Sequence, residues 1–203
     1  MPIILASSSS YRKKLLEQVN IFAECLAPNI DETPLNKEQP KALALRLAVA
    51  KAKAVALKYP NKITTTSNTI IIGSDQVASL NGRHLGKPGN FERAFEQLKA
   101  QSGNTILFYT AVCVCLESAV LSDVVTTQVE FRTLDEKEIT EYLLQEQPYD
   151  CAGSFKSEGL GISLFNRITS DDPTALIGIP LIKTLALIRE LNAKNKAANK
   201  VSG

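Results

Sequence analysis

The chain has one histidine, His84, among 203 residues, and its four cysteines, Cys25, Cys113, Cys115 and Cys151, form no C-x-x-C pair. A zinc centre needs paired N or S ligands at short spacings, so none is expected. No stretch approaches the roughly 20 apolar residues of a membrane span. The opening Met1-Pro2-Ile3-Ile4-Leu5-Ala6 lacks the basic region of a signal peptide, and its apolar run is too short. A cytoplasmic protein is expected, with reduced thiols that serve as packing residues. Cys113 and Cys115, two apart on a predicted strand, share one face. Charge of one sign is also scarce. The net charge is only +2, and no dense Lys/Arg block precedes residue 190. That argues against a protein built to coat nucleic acid, and no membrane partner is expected either. Both glycine-rich phosphate cradles, G-x-x-x-x-G-K-[ST] and G-x-G-x-x-G after a strand, are missing.

What is present is an ordinary soluble composition, 44% hydrophobic and 22% charged, on a chain long enough for a sizeable core. Its central stretch is Thr69-Ile70-Ile71-Ile72-Gly73-Ser74-Asp75-Gln76-Val77. The β-branched run predicts a short strand buried on both faces. Gly73-Ser74 is expected to break it, leaving Asp75 just past its end and aimed into a cleft. Turn capping is the plain alternative for such an Asp.

At the amino end, a strand Ile3–Ala6 runs into Ser7-Ser8-Ser9-Ser10-Tyr11-Arg12 and a helix through about Val19. Free N–H groups, serine hydroxyls and Arg12 make this an anion site, with one serine also serving as N-cap. A second strand is expected from Asn20 to Phe22. Asp31 and Glu32, in a loop between prolines, are hard oxygen donors of the kind Mg²⁺ takes together with phosphates. A helix over about Lys41–Lys58 carries a stripe of Leu43, Leu47, Ala50, Ala54 and Leu57. Arg46 and Lys53 flank one side of the stripe, and Lys51 and Lys58 the other; periodicity alone does not say which lysine turns inward. Residues 60–68 form a polar connection.

Asn81-Gly82 predicts a hairpin, and Lys87 lies between Gly86 and Pro88 on stiff, exposed backbone. A helix over Phe91–Ala100, strands over Thr105–Leu116 and Ala119–Arg132, and a helix after Asp135 capped by Thr133 follow. Residues 148–180 are dense in Gly and Pro and carry Lys156, Glu158, Arg167, Asp171 and Asp172, which marks a functional connection. The last helix is expected over about Leu181–Leu191. One two-lobed domain over 1–192 and a flexible Lys-rich tail over 193–203 complete the expected organisation.

The assembled pattern resembles the Maf family of nucleoside triphosphate pyrophosphatases over nearly the whole chain. The matching pieces are Leu5-Ala6-Ser7-Ser8-Ser9-Ser10-Tyr11-Arg12, Asp31-Glu32-Thr33-Pro34, Lys51-Ala52, Gly73-Ser74-Asp75-Gln76-Val77, Gly86-Lys87-Pro88, the run Cys151–Gly159, and Ser170–Gly178. Ser-Asp-Gln-Val and Gly-Ser-Phe-Lys-Ser-Glu are similar to the branch acting on 7-methyl-GTP rather than on dTTP or UTP. Asn29 departs from the pattern, standing where the family often has an acidic residue.

The resemblance implies an α/β fold of the Maf/inosine-triphosphatase kind: an elongated, twisted mixed sheet flanked by helices, with two lobes and a central cleft. It implies metal-assisted hydrolysis of 7-methyl-GTP to 7-methyl-GMP and diphosphate. Mg²⁺ is the natural metal, with Mn²⁺ or Co²⁺ as substitutes. Asp75 is then the general base, and Ser7, Ser9, Arg12, Lys51 and Lys87 bind the triphosphate. Asp31 and Glu32 are metal ligands or supports for their loop. Tyr11, Gln76 and Glu158 set base preference: a cationic 7-methylguanine ring suits an aromatic face and a carboxylate. Other readings are a nucleotide-binding regulator of cell division or septum formation with little turnover, and a pyrophosphatase preferring dTTP or UTP. A homodimer is common in the family, though nothing in the sequence identifies an interface.

Overall fold

A computed structural model describes residues 1–59 and 68–201. Apart from Asn68, the polar connection expected at 60–68 lies outside those residues. The order of elements is β1 (Ile3–Ala6), α1 (Ser10–Gln18), β2 (Glu24–Cys25), α2 (Pro40–Lys58), β3 (Ile70–Leu80), β4 (Arg83–Leu85), α3 (Phe91–Gln101), β5 (Thr105–Leu116), β6 (Ala119–Phe131), α4 (Glu136–Glu146), β7 (Phe165–Ser170) and α5 (Leu181–Val201). One mixed sheet runs β2-β1-β3-β5-β6-β7, with β4 also paired to β3. β1 is parallel to β2 and β3, while the pairs from β3 through β7 are antiparallel. This is the expected α/β class with a mixed sheet flanked by helices.

The long strands β3 and β5 thread all three hydrophobic clusters. Alternation along β3 sends Ile70 and Ile72 toward α1 and α5, and Ile71 toward α2. Farther along, Ala78, Ile106 and Phe108 join Leu98 of α3 and Leu143 of α4 in a third cluster. There Phe155 packs edge-on to Phe108, Phe131 and Phe165, with centroids 4.8–5.6 Å apart, a geometry favoured by aromatic quadrupoles.

Several local expectations are corrected. β3 does not stop at Gly73-Ser74; it runs eleven residues, and Asp75 sits in its middle. Gly73 is there for close packing rather than as a breaker. A Cβ at 73 would lie 2.2 Å from the Ala48 carbonyl oxygen of α2. On α2 the buried stripe is Leu43, Ala44, Leu47, Ala48, Lys51, Ala52 and Val55. It is rotated from the expected one, and Leu57 is 82% exposed. The second strand begins at Glu24 rather than Asn20, which takes a left-handed φ of 58° just after α1. Asp135, not Thr133, caps α4 by accepting from the Glu138 N–H. Residues 165–170, expected as part of a long connection, form edge strand β7. The closing helix continues past Leu191 to Val201. Good helix formers occupy 193, 194, 196 and 197, and Glu190 pairs with Lys194 one turn on at 2.6 Å.

The contact at Gly73 fixes how close α2, which carries Lys51, lies to β3. Gly73→Ala is expected to push the two apart, destabilising the protein by on the order of 2–3 kcal/mol. Urea unfolding checks this; unchanged stability would mean that α2 yields without cost.

Candidate functional site

One open cavity of about 680 Å³ is lined by the serine loop after β1, the Glu32 loop and α2, the middle of β3, residues 84–87, and residues 150–158 with 176–178. The serine loop has its shape for local reasons. Ser9 caps α1, its Oγ accepting from the Arg12 N–H at 3.4 Å, as an N-cap should. Ser7 is buried, and its Oγ accepts from the Ser9 N–H at 3.1 Å and from Arg12 Nη1 at 3.3 Å. Its own hydroxyl proton stays available to donate. Arg12 is anchored from the other side by Nε donating to the Gly178 carbonyl at 2.8 Å. Burial lowers the Arg12 pKa, while Asp75 and Glu32 raise it.

At the centre, Lys51 and Asp75 are both 6% exposed. Lys51 Nζ lies 2.6 Å from Asp75 Oδ1 and 2.8 Å from Glu32 Oε1. Helix periodicity left Lys51 and Lys53 equivalent; the structure turns Lys51 inward and leaves Lys53 exposed. Burial raises the Asp75 pKa above its usual value, and Lys51, then Arg12, oppose that rise.

Asp31 and Glu32 part company. Glu32 reaches the cavity, whereas Asp31 is exposed and accepts from the Thr33 N–H at 2.9 Å. The Thr33 side chain, and then that N–H, hold the Asp31 carboxyl below its usual pKa. The same loop is clamped to α2 by Arg46, which donates to both Glu38 oxygens (2.7 and 2.8 Å) and to the Thr33 carbonyl at 3.1 Å. Asp31 thus supports the loop that presents Glu32. Among the described residues, no group of three or more His, Cys, Asp or Glu stands ready to hold a metal.

The remaining expected residues, Tyr11, Gln76, Lys87 and Glu158, all line the cavity. Lys87 is exposed on a loop that Gln97 Nε2 anchors through the Gly86 carbonyl at 3.1 Å. Lys156 does not pair with Glu158. It reaches Glu146, at 3.5 Å to Oε1 and 3.2 Å to the backbone carbonyl, while the Ser157 hydroxyl donates to Glu158 Oε2 at 3.3 Å. Gln76 Nε2 donates to Thr110 Oγ1 and to the Ala175 and Leu176 carbonyls at 2.9–3.0 Å.

Two cavity residues carry chemistry that sequence reasoning left unassigned. Asp150 accepts from the Cys151 thiol at 3.4 Å, and burial together with Asp150 pushes that thiol up to about 12. Burial, Cys151 and Asp150 likewise raise the Tyr11 phenol, with a smaller rise from Glu158. The signal for Asp150 was its place in the Gly- and Pro-dense stretch.

The fold and the site therefore define an α/β protein with a polar cleft. Arg12, Lys51, Lys87 and serine hydroxyls line it together with Tyr11, Asp150 and Glu158, and the carboxylate of Asp75 is buried in its wall. A family model described as Maf-like protein matches residues 2–191. The chain is 52% identical to the 7-methyl-GTP pyrophosphatase of Polaromonas sp., over 93% of this chain and 84% of that relative. It is 48% identical to the protein of the same name from Nitrosococcus oceani, over 93% and 92% of the two chains. The chain belongs to the Maf family. A solved structure, the Ham1 protein of Staphylococcus aureus, is a distant likeness, with a TM-score of 0.43 and 16% identity over 66% of this chain and 73% of that one. No helix of the described residues is long and apolar enough to cross a membrane.

Because its folded pKa is raised, Asp75 by itself favours folding at acid pH, and that contribution is lost as pH rises through the folded value. Its carboxyl is expected to titrate above the ordinary Asp value of about 3.9. Lys51→Met should move the midpoint higher still, since the strongest opposing charge is gone. Carboxyl ¹³C shifts followed against pH check both; a midpoint that falls in Lys51→Met would contradict the assignment.

Proposed function

We propose that this Maf-family chain is a hydrolase that converts 7-methyl-GTP and water to 7-methyl-GMP and diphosphate. The observation that carries the reading is the buried Asp75 carboxylate, paired with Lys51 at 2.6 Å in a cavity that Arg12, Lys87, Tyr11 and Glu158 also line. The shared name of its relatives supports the same substrate. Water attacks the α-phosphorus, the α–β anhydride bond breaks, and diphosphate leaves. Asp75 accepts the water proton, a task that requires an ionised carboxylate in hydrogen-bond reach. Arg12, Lys87, Ser7 and Ser9 hold the phosphates and offset the charge that builds on their oxygens. Lys51 keeps Asp75 ionised and contributes its own charge to the triphosphate.

A divalent metal, Mg²⁺ first and Mn²⁺ or Co²⁺ as substitutes, fits the donors present. Mg²⁺ is commonly held by one or two carboxylates together with substrate phosphates, and Glu32 is the carboxylate that meets this need; Asp31 is turned away. When bound, the metal would neutralise phosphate charge.

At the base end, Tyr11 offers an aromatic face to the cationic ring. Glu158, an acceptor, suits the guanine N1–H and amino group. Asp150 adds a second negative charge beside Tyr11, which Lys156, shared with Glu146, offsets in part. Gln76 completes the set that discriminates bases. A nucleotide of the soluble pool as substrate supports a cytoplasmic location.

The test is diphosphate release from 7-methyl-GTP, GTP, dTTP, UTP and ITP with Mg²⁺. 7-Methyl-GTP is expected to lead, and Asp75→Asn to lose roughly 10²–10⁴-fold in kcat with the fold intact. A lead for dTTP or UTP would overturn the base assignment. Folded protein that releases no diphosphate would favour a binding regulator. A further expectation concerns charge. Asp150→Asn should lower kcat/KM for 7-methyl-GTP about three- to tenfold, as for a partly screened ionic contact, while GTP is little affected. Equal losses on both would remove Asp150 from cation recognition.

A further inference from the structure

We infer that Ser74, Gln76 and Thr110 form a buried latch that positions the Ala175–Gly178 turn and, through it, the guanidinium of Arg12. Ser74 and Gln76 alternate with Asp75 along β3, so they share the face opposite the catalytic carboxylate. Thr110 pairs with Gln76 in the β3–β5 ladder. Ser74 and Thr110 are fully buried. All three side chains bring a donor to one short segment. Gln76 Nε2 reaches the Ala175 and Leu176 carbonyls at 2.9 and 3.0 Å and Thr110 Oγ1 at 3.0 Å. Thr110 Oγ1 passes its own proton to the Ala175 carbonyl at 2.9 Å. Ser74 Oγ lies 2.9 Å from the Gly178 carbonyl and 2.8 Å from that of Ala111.

Backbone carbonyls only accept, which fixes the orientation of the Gln76 amide: the nitrogen faces the turn. Both N–H groups are therefore committed, and any direct contact between Gln76 and a nucleotide is restricted to Oε1, an acceptor. The turn is tied at its flanks by buried Asp172, which accepts from the Thr174 N–H and hydroxyl at 3.1 and 2.7 Å, and the latch holds the span between. It is a single 3-10 turn, Ala175–Ile177, closed by Gly178 at φ 133°, where a side chain would be strained. Yet Leu176, Ile177 and Gly178 line the cavity, and the Gly178 carbonyl is the acceptor that orients Arg12 Nε. Ser74, Thr110 and the Gln76 amide nitrogen are thus positioning groups. They set the wall of the cleft and the aim of its buried arginine without touching substrate. The latch bears on the nucleotide reading above through Arg12, but its effect on the turn is independent of that reading.

Two readouts test it. Thr110→Val keeps the shape but removes both hydrogen bonds of the hydroxyl, and Thr110→Ser restores them. In ligand-free protein, the Ile177 and Gly178 amides, which donate to Thr174 and Ala175 at 3.1 and 3.0 Å, should exchange about tenfold faster in Thr110→Val and recover in Thr110→Ser. KM should rise about tenfold for every nucleotide that the wild type hydrolyses, with kcat within about threefold. If Thr110→Val does not fold, Ser74→Ala, which frees the Gly178 carbonyl of one partner, is read in the same way. Unchanged exchange overturns the latch. Faster exchange with unchanged KM, or a fall in kcat alone, overturns its role in the site. A wild type that turns over no nucleotide would defeat the functional reading instead, and the exchange result would still decide the latch.

Discussion

The site depends on keeping a carboxylate charged where water is scarce. Asp75 lies in the middle of a strand covered on both faces, and burial alone drives it toward the neutral form. The Lys51 ammonium at 2.6 Å reverses that tendency in part, and it can stand so close only because α2 packs against β3 at a glycine. Removing one partner of a buried pair leaves the other unpaired, which is costly. The Asp75–Lys51 geometry is therefore inherited from backbone packing two residues away, at Gly73. Glu32, half exposed, shares the same ammonium and links the loop between the prolines to the buried pair.

Around this centre the cleft carries both signs of charge. Toward α1, the helix N-terminus, the serine hydroxyls and Arg12 suit the phosphates of a nucleotide. Toward residues 150–158 lie carboxylates and a tyrosine, and Lys156 there reaches Glu146.

Much of this was legible in the sequence because it is local. The strand–serine–helix entry, the Asn81-Gly82 hairpin, the long β5–β6 pair and the clustering of Ser7, Ser9, Tyr11, Arg12, Lys51, Asp75, Gln76, Lys87 and Glu158 all follow from short patterns read together with the family resemblance. What failed was decided by distant partners. Gly73 reads as a breaker until α2 is known to press on it. The α2 stripe was rotated because a buried lysine, paired across to β3, counts as polar in any periodicity. β7 is an exposed edge strand, Phe165–Ser170, whose pairing with β6 has no apolar run to announce it. Asp31 and Glu32 are indistinguishable as neighbouring carboxylates; the Thr33 N–H and the Arg46 clamp separate them.

Thr110 shows the limit most clearly. A threonine in the middle of a strand is ordinary β sequence, and its function here exists only because residues 65 positions later return to its hydroxyl. The same return explains why Gln76 follows Asp75. Alternation along β3 sends successive side chains to opposite faces, so one strand can hold the charged centre on one side and the turn behind Arg12 on the other. Asp75 faces Lys51 and α2; Ser74 and Gln76 face Ala175–Gly178. Because both sets hang on one rigid, doubly covered strand, the carboxylate and the arginine keep a fixed relation although they belong to segments far apart in sequence. A site built on loops alone would have to order both ends on binding, at a cost in conformational entropy; here β3 has already set them.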